Sequence, residues 1–144
     1  MGEAQSFRIL VIDDNPGDRE LLVRHIRRAW PFEYELHIEK AVDGEGAKAK
    51  LAEDTFTTIV LDWQLPRLRG VDVLRSLRSK GVNVPVIVVS GLSREEITED
   101  LESLGAVYLG KEAINPTSVR DAMATSARWL ADQSMRNNAA NVAT

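Results

Sequence analysis

Three aspartates, a serine and a lysine stand where short aliphatic runs end. Ile9-Leu10-Val11-Ile12 runs into Asp13-Asp14, Thr58-Ile59-Val60-Leu61 into Asp62, Val86-Ile87-Val88-Val89 into Ser90, and Val107-Tyr108-Leu109-Gly110 into Lys111. Three carboxylates brought into one pocket repel one another and raise each other's pKa, and a hard cation removes that conflict. Mg²⁺ takes oxygen ligands and binds one or two carboxylates, waters and a phosphate. Asp14 and Asp62 are expected as direct ligands, Asp13 through water, and the backbone carbonyl of Gln64 as the remaining protein oxygen. A carboxylate can also attack phosphorus to give an aspartyl phosphate. Asp62 is the candidate nucleophile, because a carboxylate ending a buried strand is costly without a partner. Lys111 would neutralise the transferred charge, and Ser90 would donate a hydrogen bond to the phosphoryl oxygens.

These residues meet only if the runs are neighbouring strands. Short continuous β-branched runs read as strands buried on both faces, as in a parallel sheet. Tyr34, Leu36 and Ile38 alternate with Glu35, His37 and Glu39, the pattern of a half-buried edge strand. Between the strands lie helix signals. Asn15 and Pro16 start a first helix with Leu22, Ile26 and Ala29 buried, closed by Trp30-Pro31. Asp43-Gly44 leads a second with Ala47 and Leu51, and Val71, Leu74 and Leu77 mark a third. Ser93 and Glu96 form a capping box for a fourth, carrying Ile97, Leu101 and Leu104. A fifth runs from Pro116 to about Met135. The expectation is a flavodoxin-like, doubly wound α/β fold with five parallel strands ordered 2-1-3-4-5 and five helices. It forms one domain over residues 1–144, with a core of about 7–135 and a flexible tail at 136–144. In such sheets ligands bind beyond the carboxyl ends of the strands, at the switch between strands one and three. There Asp13, Asp14 and Asp62 come together.

Composition narrows the function. The chain has 144 residues, net charge −4 and no cysteine. The acidic balance disfavours a nucleic-acid partner, and the missing cysteines exclude disulfides and thiolate chemistry. No apolar stretch approaches a membrane span, and the start lacks a signal peptide, so a cytoplasmic location is expected.

The set resembles the receiver domain of two-component response regulators. The matching residues are Asp13-Asp14, Asp62 with Pro66 and Gly70 after it, Ser90, and Lys111 with Tyr108 three residues before it. The resemblance covers about residues 7–128. It implies that Asp62 accepts phosphate from a phosphohistidine on a sensor histidine kinase or histidine phosphotransfer protein. It also implies that Asp13 and Asp14 bind Mg²⁺ and that Ser90 and Tyr108 transmit the state. The Asp-Asn-Pro-Gly-Asp opening looks like the stand-alone receivers paired with bacterial phytochromes.

Two departures stand out. The family lysine is usually followed by a proline in a cis bond, whereas Glu112 follows here and a trans bond is expected. Arg69 occupies the usually acidic position before the family glycine, and Arg67 and Arg69 are read as a solvated loop. Arg24, Arg27 and Arg28 are read as a solvated face of the first helix, and His25 and His37 as isolated residues. The last helix carries Val119, Met123, Ser126 or Ala127, and Trp129, as core stripe or homodimer surface.

The expected protein is therefore a phosphoacceptor and not an enzyme acting on other molecules. Two alternatives stand beside it. One is a pseudo-receiver that binds proteins without taking phosphate. The other is an aspartate-nucleophile phosphohydrolase, disfavoured because Gln64 stands where that chemistry needs an acid.

Overall fold

A computed structural model describes residues 6–29, 35–65 and 69–142. Five strands, β1 (Ser6–Ile12), β2 (Glu35–Ala41), β3 (Thr58–Asp62), β4 (Val86–Ser90) and β5 (Ala106–Gly110), form one parallel sheet ordered β2-β1-β3-β4-β5. Among the described residues four helices alternate with them: α1 (Pro16–Ala29), α2 (Gly44–Glu53), α3 (Gly70–Ser79) and α4 (Pro116–Val142). The amphipathic run lies at the edge as β2, with His37 exposed.

Alternation along each strand divides the core between the faces of the sheet. Leu10, Ile12, Ile59, Leu61 and Val88 pack with Ala47, Val73, Leu74 and Leu77 from α2 and α3. Ile9, Val11, Val60, Ile87 and Val89 pack with Leu22 and Ile26 from α1 and with Val119 and Ala122 from α4. All five residues of β3 and all five of β4 are buried, as two-sided coverage requires. On α4 the buried stripe runs through Ser126, while Ala127 is exposed and Trp129 is half-buried.

Two expectations are corrected. The fourth of the five expected helices does not form. After Ser93 there is one 3₁₀ turn, Arg94–Glu96, closed by the Ser93 N–H donating to the Glu96 carboxylate (2.9 Å). The Arg94 guanidinium then bonds the Ile97 carbonyl (2.9 Å), which a continuing helix would need. Asp100 takes the Ser103 N–H (3.3 Å) and its carbonyl takes the Ser103 hydroxyl (2.8 Å). Short polar side chains here compete with the helical ladder. Ile97 and Leu101 are still buried, so the apolar signal was sound and only its backbone period was misread. The second correction concerns the end of the chain. α4 continues to Val142 rather than stopping near Met135, so the segment expected as a flexible tail is helical through residue 142. No glycine or proline interrupts Thr117–Val142, and alanine recurs to the end.

Trp30, Pro31 and Tyr34, and Pro66, Arg67 and Leu68, lie outside the described residues. No helix among the described residues is long and apolar enough to cross a membrane.

Candidate functional site

The register of the sheet brings the strand ends to one edge. Asp62 ends β3 opposite Val89, and Ser90 ends β4 opposite Gly110, the residue before Lys111. Asp13 follows β1, and its N–H continues the ladder by donating to the Ala41 carbonyl (3.0 Å). The carboxylates of Asp13, Asp14 and Asp62 each offer an oxygen within 4.8 Å of the others. Asp13 and Asp62 are buried and Asp14 is exposed, so the cluster opens to solvent on one side.

Backbone amides fix the two buried carboxylates. The Asn15 N–H donates to Asp13 Oδ1 (2.9 Å), and the Gln64 N–H donates to Asp62 Oδ1 (3.1 Å). Asp62 Oδ2 faces the Lys111 ammonium at 3.8 Å, too far for a hydrogen bond. Burial pushes Asp62 up to about 6, with the Gln64 amide and Lys111 opposing and the charges of Asp13 and Asp14 adding to the rise. Burial likewise raises Asp13, partly offset by the Asn15 amide and Lys111. Burial pulls the Lys111 ammonium down, but its hydrogen bond to Asp18 and the charges of Asp62 and Asp13 outweigh this and hold it above its ordinary value. Three hard oxygen donors, two of them buried and short of positive charge, suit a hard divalent cation rather than a soft one.

The other expected residues cluster beside this pocket. The Ser90 hydroxyl is fully buried and accepts the Leu92 N–H (3.0 Å). The Tyr108 hydroxyl donates to the Leu92 carbonyl (2.7 Å), so one backbone unit links the serine to the tyrosine. An open depression of about 450 Å³ lies among Ser90, Leu92, Tyr108, Gly110, Lys111 and Glu112. Gly110 makes the tyrosine position possible, since a Cβ there would lie 2.8 Å from the Tyr108 hydroxyl. Gly70 serves similarly at the start of α3, where a Cβ would come within 2.8 Å of the Trp63 backbone. No cis peptide bond occurs among the described residues, and Lys111–Ala113 form a single 3₁₀ turn before α4. Arg69 points away to solvent, paired with Asp72 at 3.5 Å.

Sequence reasoning missed two contributors. Asp18, in the first turn of α1, bonds Lys111 Nζ at 3.2 Å. It stood in the Asp-Asn-Pro-Gly-Asp opening, one helical turn past the Asn15 cap, on the end of α1 nearest the site. Leu92 contributes here through its backbone N–H and carbonyl, which side-chain chemistry does not announce.

Comparison with known proteins agrees with this geometry. The family model of the response regulator receiver domain matches residues 9–123. The response regulator MprA of Mycobacterium bovis is 39% identical over 101 residues, covering 70% of this chain and 41% of its own length. Among solved structures, the response regulator TrrA of Thermotoga maritima, in complex with Mg²⁺-BeF, superposes with a TM-score of 0.61 and 30% identity, covering 72% of this chain and 85% of TrrA. The bacteriophytochrome response regulator AtBRR superposes with a TM-score of 0.70 over 85% of this chain and 94% of its own, at 22% identity, a likeness of fold alone. The chain spans between 33% and 41% of the length of the first curated relatives it matches. With the fold, the strand-end residues and the family match in agreement, the chain belongs to the response regulator receiver domains.

Proposed function

We propose that this receiver is a phosphoacceptor in a two-component phosphorelay, with Asp62 taking the phosphoryl group of a phosphohistidine on a sensor kinase or phosphotransfer protein. One observation carries the reading: the buried Asp62 carboxylate has one oxygen pinned by the Gln64 amide and the other turned toward Lys111, beside two further carboxylates. The free oxygen attacks phosphorus as the bond from phosphorus to the imidazole nitrogen breaks. The imidazole nitrogen keeps that electron pair, and a proton on the other ring nitrogen lets the ring leave neutral. Such transfers need positioning and charge neutralisation more than covalent assistance.

Asp13, Asp14, Asp62 and the Gln64 carbonyl are the oxygens that would hold Mg²⁺. When bound, Mg²⁺ supplies positive charge to the carboxylates and to the phosphoryl oxygens. The chain's own residues do the rest. The Gln64 and Asn15 amides fix the directions of Asp62 and Asp13. Lys111 offers an ammonium to the arriving phosphoryl group, and Ser90 a hydroxyl at the end of the neighbouring strand. TrrA binds both Mg²⁺ and a fluoroberyllate, which supports the same chemistry here. The output is a contact surface around Ser90, Tyr108 and α4, in the cytoplasm, with a second copy of the chain along α4 as one candidate partner.

Intact mass after incubation with Mg²⁺ and acetyl phosphate tests the reading. One labile phosphate per chain is expected, absent without Mg²⁺ and absent in Asp62→Asn. An equal mass gain in Asp62→Asn overturns the assignment, and no gain in the wild-type chain favours the pseudo-receiver.

A further inference from the structure

The shortest contact of the Lys111 ammonium is not with the proposed phosphoacceptor. Nζ lies 3.2 Å from Asp18 Oδ2 and 3.8 Å from Asp62 Oδ2. Asp18 is held in place by its own N–H, which donates to the Asn15 side chain capping α1 (3.0 Å). Its side chain is 46% exposed, against 2% for Asp62. A small cavity of about 30 Å³ is lined by Asp13, Asp18, Leu22, Val89, Lys111 and Ile114. Lys111 itself opens a short 3₁₀ turn and is followed by Glu112, so its reach is set by the groups it bonds as well as by its backbone.

We propose that Asp18 is a positioning residue that holds the Lys111 ammonium back from Asp62, so that Asp18 and an arriving phosphoryl group compete for one cation. The inference rests on the reading of Asp62 as the phosphoacceptor. An acyl phosphate places nearly two negative charges beside the ammonium. That pull exceeds the attraction of one half-exposed, solvent-screened carboxylate. Lys111 then leaves Asp18 for the phosphoryl oxygens, and the cost of breaking the Asp18 contact is subtracted from the phosphoryl affinity. Asp18 also repels the incoming anion directly, so neutralising it acts in the same direction.

The test uses the full chain with beryllofluoride as the phosphoryl mimic at saturating Mg²⁺, read by the fluorescence of buried Trp63 beside Asp62. Asp18→Asn is expected to tighten beryllofluoride binding about two- to five-fold, the range of a partly exposed ion pair. In a Lys111→Met background the gain should fall to less than half. Unchanged or weaker binding in Asp18→Asn, or an equal gain in both backgrounds, overturns the proposal. A second readout needs no mimic. The ¹H–¹⁵N signal of the Lys111 ammonium should move or broaden in Asp18→Asn while the far-UV spectrum is unchanged, and a signal identical to wild type also overturns it. Asp62→Asn, which should not bind beryllofluoride, separates the two failures. If wild type fails to bind, the phosphoacceptor reading falls and this proposal with it. If wild type binds and Asp18→Asn matches it, only the role of Asp18 is lost.

Discussion

Replacing Asp62 by asparagine should stabilise the metal-free domain, and the gain should depend on pH. Burial lifts the Asp62 pKa from 3.8 to about 6. Each pKa unit corresponds to about 1.4 kcal/mol, so ionising Asp62 costs the fold about 3 kcal/mol relative to the unfolded chain. A carboxyl whose folded pKa is raised contributes most below its unfolded pKa and loses that contribution as pH rises through the folded value. The cost is therefore near zero below pH 3.8, grows between 3.8 and about 6, and levels off above. Asparagine keeps an oxygen to accept the Gln64 N–H (3.1 Å) and carries no charge. Urea unfolding in EDTA should give Asp62→Asn an advantage of about 2–3 kcal/mol at pH 8, shrinking to about 0.5 kcal/mol at pH 4. Mg²⁺ should narrow the gap at pH 8 by stabilising the wild-type chain more than the variant, which keeps Asp13 and Asp14 but loses one carboxylate. A difference below about 0.5 kcal/mol at pH 8, or one that does not change with pH, would refute the claim that this carboxylate is held ionised against its surroundings.

Three further outcomes follow from contacts away from the carboxylates. Ser126 is fully buried on α4, accepts the Val86 N–H (2.9 Å) and donates to the Gly105 carbonyl (2.7 Å); Ser126→Ala removes both bonds, leaving the Gly105 carbonyl only its long contact with Arg78 (3.5 Å), and should cost about 1–3 kcal/mol in urea unfolding. Arg78 reaches the carbonyls of Leu104 (2.5 Å), Val82 (2.8 Å) and Gly105 (3.5 Å), and burial lowers its pKa to about 10; Arg78→Ala should cost about 2–4 kcal/mol, and Arg78→Lys should recover less than half, because an ammonium lacks the planar fork. Gly110→Ala places a Cβ 2.8 Å from the Tyr108 hydroxyl; NMR should show the ring displaced and its bond to the Leu92 carbonyl lost, and an unmoved ring counts against the seat.

How far the sequence speaks depends on the range of the interaction that decides each feature. Strand positions and their order follow from aliphatic runs and an amphipathic edge, signals written in consecutive residues. Because parallel strands share a direction, their carboxyl ends meet without further information, and Asp13, Asp62, Ser90 and Lys111 were legible as a set. The segment after Ser93 was not, because its apolar spacing suits a helix while Arg94, Asp100 and Ser103 divert the backbone bonds. The end of α4 was misplaced because the polar composition of residues 136–142 suggested fraying, whereas uninterrupted propensity carried the helix on. Asp18 and Ser126 were hidden for another reason. Asp18 meets Lys111 across 93 positions and Ser126 meets Val86 across 40, and such pairings appear only once the layers are assembled.

Under the proposed function, the link between Ser90 and Tyr108 gives Gly110 a part in signalling as well as in packing. A hydroxyl has one donor and two acceptor sites. Ser90 can therefore donate to a phosphoryl oxygen while still accepting the Leu92 N–H. The backbone of Leu92 would then follow an inward shift of Ser90 through its N–H, and its carbonyl would carry the Tyr108 hydroxyl with it. Coupling of this kind requires the ring to have a seat along β5, and residue 110, two positions on and on the same face, would occupy it with any larger side chain. Phosphate can bias the ring only by its unequal affinity for the seated and displaced arrangements. Glycine keeps both within reach by removing the clash that would otherwise decide between them.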